Sequence, residues 1–263
     1  MSHTQKKIYF ASDAHLGNQY LKNPVEAEKK LVRWLDSIKD EAQAIYFMGD
    51  TFDYWYEYKY VVPKGHVRFL GKLAELADQG VEIHFLIGNH DIWMFDYLPK
   101  EIGAVIHHGP LVLDLLGKRF FLAHGNEVGI QKIGFRFFQA LFRNKVCQFL
   151  YAGIHPRWTF SFAKRWSLSS RKKGLDNQQK KPSETAGYLI EFAQEYLQTH
   201  SDIHFFIFGH CHVFLDMELR AGEEQQTLCP NSRLLVAGEW TKHCSYIQWD
   251  GIYLNLNIFE KSN

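Results

Sequence analysis

Five short segments of the chain carry residue types suited to divalent-metal chemistry. They are Asp13 and His15 in "SDAHLG", Asp50 and Asp53 in "GDTFD", Asn89, His90 and Asp91 in "GNHD", His124 in "AHG", and His210 and His212 in "GHCH". Carboxylate and amide oxygens together with imidazole nitrogens suit Mn, Fe, Zn or similar ions, whereas a soft thiolate site needs clustered cysteines. Cys211 is therefore not expected to be a ligand. A lone histidine is ordinarily a core or surface residue, and His66, His84, His107, His108, His200 and His243 are read that way. Five such segments in succession point to shared chemistry. One carboxylate can bridge two ions about 3.5–4 Å apart, and such a pair clamps the attacking and leaving oxygens of an in-line phosphoryl displacement.

Apolar runs precede these groups. "KIYFASD", "AIYFMGD" and "EIHFLIGNHD" read as strands, and "IHFFIFGHCH" is a strand buried on both faces until Gly209 releases two imidazoles at its end. Ligands of α/β sheets bind at strand ends, so strands laid side by side would bring the five groups together. Glycine precedes Asp50, Asn89 and His210, where a tight turn or a close backbone approach is wanted. Between the first two strands, Asn23-Pro24-Val25-Glu26 is a helix start ahead of Leu31, Trp34, Leu35 and Ile38 at helical spacing. A second helix is expected from about Lys64 to Gln79, ended by Gly80, and a last one from about Ser183 to Gln198. "AVIHHG", "LVLDLLGKRFFLAHG", "RLLVAGEW" and "CSYIQWDGIYLNLNIF" look like hairpin-connected strands, which predicts a mixed sheet or two packed sheets.

At 263 residues, with 46% hydrophobic and 16% aromatic composition, the chain can bury a sizeable core. Its longest apolar runs fall short of the ~20 residues needed to cross a bilayer, and the N-terminus carries no signal-peptide core. Cys147, Cys211, Cys229 and Cys244 are widely spaced, which suits a reducing compartment and a cytoplasmic location. The net charge of +1 conceals an asymmetry: residues 130–181 hold twelve basic residues against one acid, Asp176. The same segment is rich in Phe and Trp and reads as an insertion, helical from about Ile133 to Leu150 and then a lysine-rich loop, "SSRKKGLDNQQKKPSE".

The ordered motifs D-x-H, G-D, G-N-H-D, H and G-H-x-H resemble those of the calcineurin-like metallophosphoesterases, over nearly the whole chain. The resemblance implies a single domain over 1–263, a four-layer α/β/β/α sandwich with residues 130–181 as a helical lid. It implies two divalent ions, most often Mn(II) with Fe or Zn as alternatives, one held by Asp13, His15, Asp50 and His212 and the other by Asp50, Asn89, His124 and His210. A hydroxide shared by the ions would be the nucleophile, with His90 facing the scissile phosphate and Asp91 a candidate to orient it.

Within that superfamily, "GDTFDYW", the insertion between "HGN" and "GHCH", and "AGEWTKHCSYIQWDG" are most similar to the UDP-2,3-diacylglucosamine hydrolases of lipid A biosynthesis. That resemblance implies cleavage of a nucleoside-diphosphate glycolipid to UMP and 2,3-diacylglucosamine 1-phosphate, at the anionic inner face of the inner membrane, with the lid over the acyl chains. His90 stands where many members carry Arg, and Asn126 where Asp often follows "HG". Phosphate contact is then expected from Asn89, His90 and the lid residues Arg171, Lys172 and Lys173. Alternatives are a phosphoesterase of soluble nucleotides or phosphoproteins, and a non-catalytic scaffold, against which the intact ligand positions stand. Nucleic acid, which also suits a basic aromatic segment, is not expected as a partner.

Overall fold

The computed structural model describes residues 6–18, 20–129, 140–162, 165, 181–220 and 231–260. Three βα units open the chain: β1 (Lys7–Ala11) and α1 (Pro24–Ile38), β2 (Ala42–Phe47) and α2 (Val67–Asp78), β3 (Glu82–Leu86) and α3 (Tyr97–Ile102). Asn23 caps α1 through its side-chain oxygen, which accepts from Glu26 N, and Pro24 occupies the first turn, as the sequence predicts. Glu28 of α1 then accepts from the backbone N–H groups of Arg68 and Phe69, so the first helix caps the second.

β4 (Val105–His107) follows, and it departs from expectation: it pairs parallel with β3 and extends the first sheet instead of opening a hairpin. The expected hairpins form downstream, between β5 (Leu111–Leu115) and β6 (Lys118–Leu122) and between β10 (Ser245–Trp249) and β11 (Leu254–Ile258). With β7 (Phe205–Phe208), β8 (Phe214–Arg220) and β9 (Asn231–Ala237), the strands form two sheets. Their orders are β11-β10-β1-β2-β3-β4 and β5-β6-β7-β9-β8.

Alternation along the strands sets the layers. Tyr9, Ile45, Phe47 and Phe85 face outward onto Leu31, Trp34, Leu35, Phe69 and Leu73 of the first helices. Ile8, Phe10, Tyr46 and Met48 face the other way and meet Phe120, Leu122, Ile207 and Leu235 between the sheets. Phe121, Phe206, Phe208 and Leu234 cover the second outer face against Leu189, Ala193 and Leu197 of a late helix. The result is helix, sheet, sheet, helix.

The insertion's start, 130–139, and most of its second half, including Arg171, Lys172 and Lys173, lie outside the described residues. Within them the single helix expected to Leu150 is broken: Asn144 caps a new helix, α4 (Lys145–Ala152), by accepting from Val146 and Cys147 N, and residues 156–162 form another. The late helix begins as a short turn, α5 (Pro182–Thr185), and continues after Ala186 as α6 (Gly187–Thr199). A last turn, α7 (Trp240–His243), sits between β9 and β10.

Candidate metal centre

The strand ends of β1, β2, β3, β6 and β7 all open onto one rim, and the backbone there is strained. Asp13, His15, Asp50, His210 and His212 have φ values of +52°, +43°, +50°, +64° and +55°. The left-handed region costs a non-glycine residue about 1–2 kcal/mol, and proteins retain such strain mostly where function requires it. The consequence is directional. In an extended chain His210 and His212 would share a side, but with both in the left-handed region they diverge to different neighbours.

Three glycines make room for this packing. A Cβ on Gly49 would collide with the His124 ring, one on Gly88 with the Asp50 carboxylate, and one on Gly209 with the Ser12 hydroxyl. The glycines read from sequence as close-approach positions, Gly49 before Asp50, Gly88 before Asn89 and Gly209 before His210, are those whose missing side chain leaves space for another motif's ligand.

Among the described residues three clusters result, each with ligand atoms within 4.8 Å of one another: His15, Asp53 and His90 form one, and the two that hold expected ligands alone are Asp13, His15 and His212, and Asp50, His124 and His210. Asp50 reaches both of the latter: its Oδ2 lies 3.3 Å from His124 Nε2 and 4.0 Å from His15 Nε2. In the Asp13 cluster Asp13 Oδ1 is 3.2 Å from His212 Nε2, and His15 Nε2 is 3.3 Å from His212 Nε2. The free ends of these carboxylates are fixed by their second oxygens, since Asp13 Oδ2 accepts from Ser12 Oγ and His210 N, and Asp50 Oδ1 accepts from His90 N.

The imidazoles are oriented in the same way. His124 Nδ1 donates to Met48 O at 2.8 Å, His90 Nδ1 to Asp53 O at 2.9 Å, and His212 Nδ1 to Glu239 Oε2 at 3.1 Å, so each turns Nε2 toward the rim. Buried Asp13 Oδ1, Asn89 Oδ1 and His124 Nε2 have no hydrogen-bond partner. Buried polar atoms ordinarily have one.

Electrostatics point the same way. Burial opposes charge on Asp50, yet His124 and His90 hold its carboxyl well below the usual range, and Asp13 is lowered by His212 against the same penalty. Burial likewise works against protonation of His124 and His212, but Asp50 raises the first to about 10 and Asp13 the second to about 10. Two buried carboxylates thus demand cationic partners, which protons supply here and divalent ions can replace. Ionised oxygens, an amide oxygen and neutral-capable imidazoles in two adjoining sets fit a pair of divalent ions. Cys211 Sγ turns to Tyr188 OH.

Asp91 lies elsewhere than anticipated. Its buried carboxylate accepts from Gly88 N, Thr51 N and Phe52 N, tying the loops after β2 and β3 together, and it makes no bond to the His90 ring. The main-chain oxygen of Asp53 orients His90 instead. One contributor escaped the sequence reading, and another, Asp53, was named there without a role. Glu239 sits behind His212 and is also met by Lys242 and Thr241; its only signal was the "GEW" that closes β9. Asp53 was visible in "GDTFD", and its Oδ1 lies 3.6 Å from His15 Nδ1.

Beside the rim lies a slot. Asp53, Asn89 and His90 form its polar end, and Tyr54, Ile92, Trp93, Phe142, Tyr151 and Phe162 its apolar walls, the last three from the insertion.

The comparisons agree with this geometry. The family model described as calcineurin-like phosphoesterase matches residues 6–214. A UDP-2,3-diacylglucosamine hydrolase of Porphyromonas gingivalis is 46% identical, over 97% of this chain and 98% of that protein. One from Aeromonas hydrophila is 26% identical over 90% of this chain and 92% of its own. Among solved structures, Yfce, a phosphoesterase from E. coli, covers 92% of this chain and 87% of its own at 15% identity with a TM-score of 0.39, too loose a likeness to support inference. With its five motif segments gathered on one rim and a family model spanning most of its length, the chain belongs to the calcineurin-like phosphoesterases.

Proposed function

We propose that the protein is a dinuclear-metal hydrolase that cleaves the diphosphate of UDP-2,3-diacylglucosamine to UMP and 2,3-diacylglucosamine 1-phosphate. The observation that carries this reading is the continuity of the rim with the aromatic slot: Asn89 and His90 belong to both. A substrate with an anionic centre and an apolar tail matches that layout, and the relatives named above bear the same activity in their names.

Asp13, His15, Asp50 and His212 would hold one cation, and Asp50, Asn89, His124 and His210 the other. A cation pair bound there would supply a nucleophilic water near neutral pH and would neutralise charge on the phosphoryl oxygens. We assign Mn(II) as the working ion. His90, with Nδ1 committed to Asp53 O, presents Nε2 to the phosphoryl group, where it donates to an oxygen or to the leaving group. The slot fixes the glycolipid so that the diphosphate lies on the rim.

In this reading residues 130–181 are the lid, and its basic residues, Arg171, Lys172 and Lys173 among them, meet the diphosphate or anionic headgroups. Val146, Phe149, Leu150 and Trp158 are exposed beside Lys145 and Arg157, a composition suited to an anionic membrane surface at the cytoplasmic face of the inner membrane. Among the described residues no helix is long and apolar enough to cross a membrane, so attachment would be peripheral.

The test is direct. Purified protein with Mn(II) should release UMP from UDP-2,3-diacylglucosamine. Turnover of bis(p-nitrophenyl) phosphate with no release of UMP from the lipid would refute the substrate.

A further inference from the structure

The stretch "DYWYEYKY", residues 53–60, leaves the metal loop immediately after Asp50, and its side chains alternate in destination. Trp55 and Glu57 turn into the core. Trp55 Nε1 donates to Glu57 Oε1, and Glu57 Oε2 accepts from the N–H groups of Phe95, Asp96 and Tyr97 at the start of α3. This side is a structural anchor.

Tyr54, Tyr56 and Tyr58 go the other way, into the insertion, while Tyr60 is exposed. Tyr54 OH pairs with Tyr151 OH at 3.1 Å, Tyr56 OH donates to Gln148 O at 2.7 Å, and Tyr58 OH pairs with Thr159 Oγ1 at 2.6 Å. Two of these contacts fall on α4 and one on the helix 156–162, so the row spans both described helices of the insertion. Trp93, bridged to Tyr56, adds a bond from Nε1 to Phe142 O at 3.0 Å.

Tyr54 itself lines the slot, whereas Tyr56 and Tyr58 lie behind it. Tyr56 is 2% exposed, and burial pushes its phenol up to about 12, so its O–H stays available as a donor. A row of period two on one loop, matched to acceptors on two separate helices, fixes the insertion in register with Asp50 and with the Asp53 oxygen that holds His90.

We infer that Tyr56 and Tyr58 are specificity-determining positioning residues: through their hydroxyls they seat the insertion on the metal loop, shape the aromatic slot, and so set affinity for the lipid-bearing substrate without touching the reacting atoms. The inference rests on the substrate proposed above. It separates two properties that a merely structural role would lose together, because Phe at either position keeps the ring in the core and removes only the seating bond.

The experiment measures kcat and KM of wild type, Tyr56→Phe, Tyr58→Phe and the double variant with Mn(II). Substrates are UDP-2,3-diacylglucosamine and bis(p-nitrophenyl) phosphate, and amide hydrogen exchange is followed over 145–152. The double variant should raise KM for the lipid at least tenfold with kcat retained, leave the soluble diester within twofold, and speed exchange in α4. Thr159→Val, which also loses the Oγ1 bond to Pro156 O, should show at least the Tyr58→Phe effect, and adding Tyr58→Phe to it should cost nothing more. Wild-type KM for the lipid in the double variant, or a parallel loss on both substrates, would overturn the inference. Wild-type protein that hydrolyses the diester and never the lipid would instead overturn the proposed function, and the specificity claim with it.

Discussion

The metal rim and the insertion obey opposite rules. On the rim, Asp13, His15, Asp50 and His124 are all buried, three of them on strained backbone, each oriented by a hydrogen bond or a close glycine. On the insertion, Phe149 is 77% exposed and Trp158 69%, although both are large and apolar. Ligands for cations must be held rigidly against their own repulsion, which only surrounding structure can do. If the insertion covers acyl chains as proposed, its surface must instead remain uncovered until its partner arrives. The seam between them, the row of tyrosines, is where rigidity is handed from one to the other.

The comparison breaks most visibly at Asp50. If its carboxylate serves both clusters, Asp50→Asn should lower turnover of either substrate by roughly 10³-fold, a loss of about 4 kcal/mol of transition-state stabilisation. Metal content should fall below two ions per chain, as read by elemental analysis. Full occupancy with normal rate would remove the bridge from the account.

Glu239 tests whether rigidity matters beyond the ligands. Glu239→Ala frees His212 Nδ1, and removal of such an outer partner typically costs about 10–100-fold in metal affinity. Calorimetric titration with Mn(II) should show one site weakened by that factor and the Asp50–His124–His210 site little changed.

The insertion should respond in the reverse sense. Phe149→Ser with Trp158→Ser should weaken binding to vesicles containing anionic lipid by roughly tenfold or more, since each ring buries apolar area worth about 1.5–3 kcal/mol when fully covered. Hydrolysis of a soluble diester should be unaffected. A drop in both would mean that these rings support the fold.

A smaller effect belongs to neither region. On the edge of the first sheet, His84 and His107 stack with ring centroids 5.3 Å apart, and His84 stacks on Tyr46. Burial, then the neighbouring His84, lowers His107 to about 4, and burial lowers His84 as well. Because the unfolded chain takes up these protons more readily, their stabilising contribution is complete above about pH 6.5 and is lost as pH falls toward 4. His107 is only partly buried, so His107→Gln should flatten this acid limb by only about 1 kcal/mol in denaturant titrations at pH 7 and pH 4.5.

Much of the site was legible because its chemistry is local. "GDTFD" and "GHCH" place donors within four residues of a glycine at the end of an apolar run, and the periodicity of that run already fixes it as a buried strand. The first helix was readable to its cap, since Asn23, Pro24 and Glu26 act on neighbouring backbone. β4 was not, because "AVIHHG" has the texture of any edge strand and its partner was decided by the helix α3 that delivers it parallel to β3. Asp91 was misplaced for a similar reason: adjacency to His90 suggested a pair, while its buried carboxylate was taken by three backbone N–H groups from two loops.

By itself the sequence determined the donor set, its order along the chain, the strands that carry it and the basic, aromatic character of the insertion. The tertiary structure alone decided that His210 joins Asp50 while His212 joins Asp13, that Glu239 backs His212, and that Tyr56 finds Gln148. The last two pairs are 27 and 92 residues apart, and no local pattern encodes either. Periodicity reports which face a side chain occupies; what that face meets depends on how the sheets and helices pack.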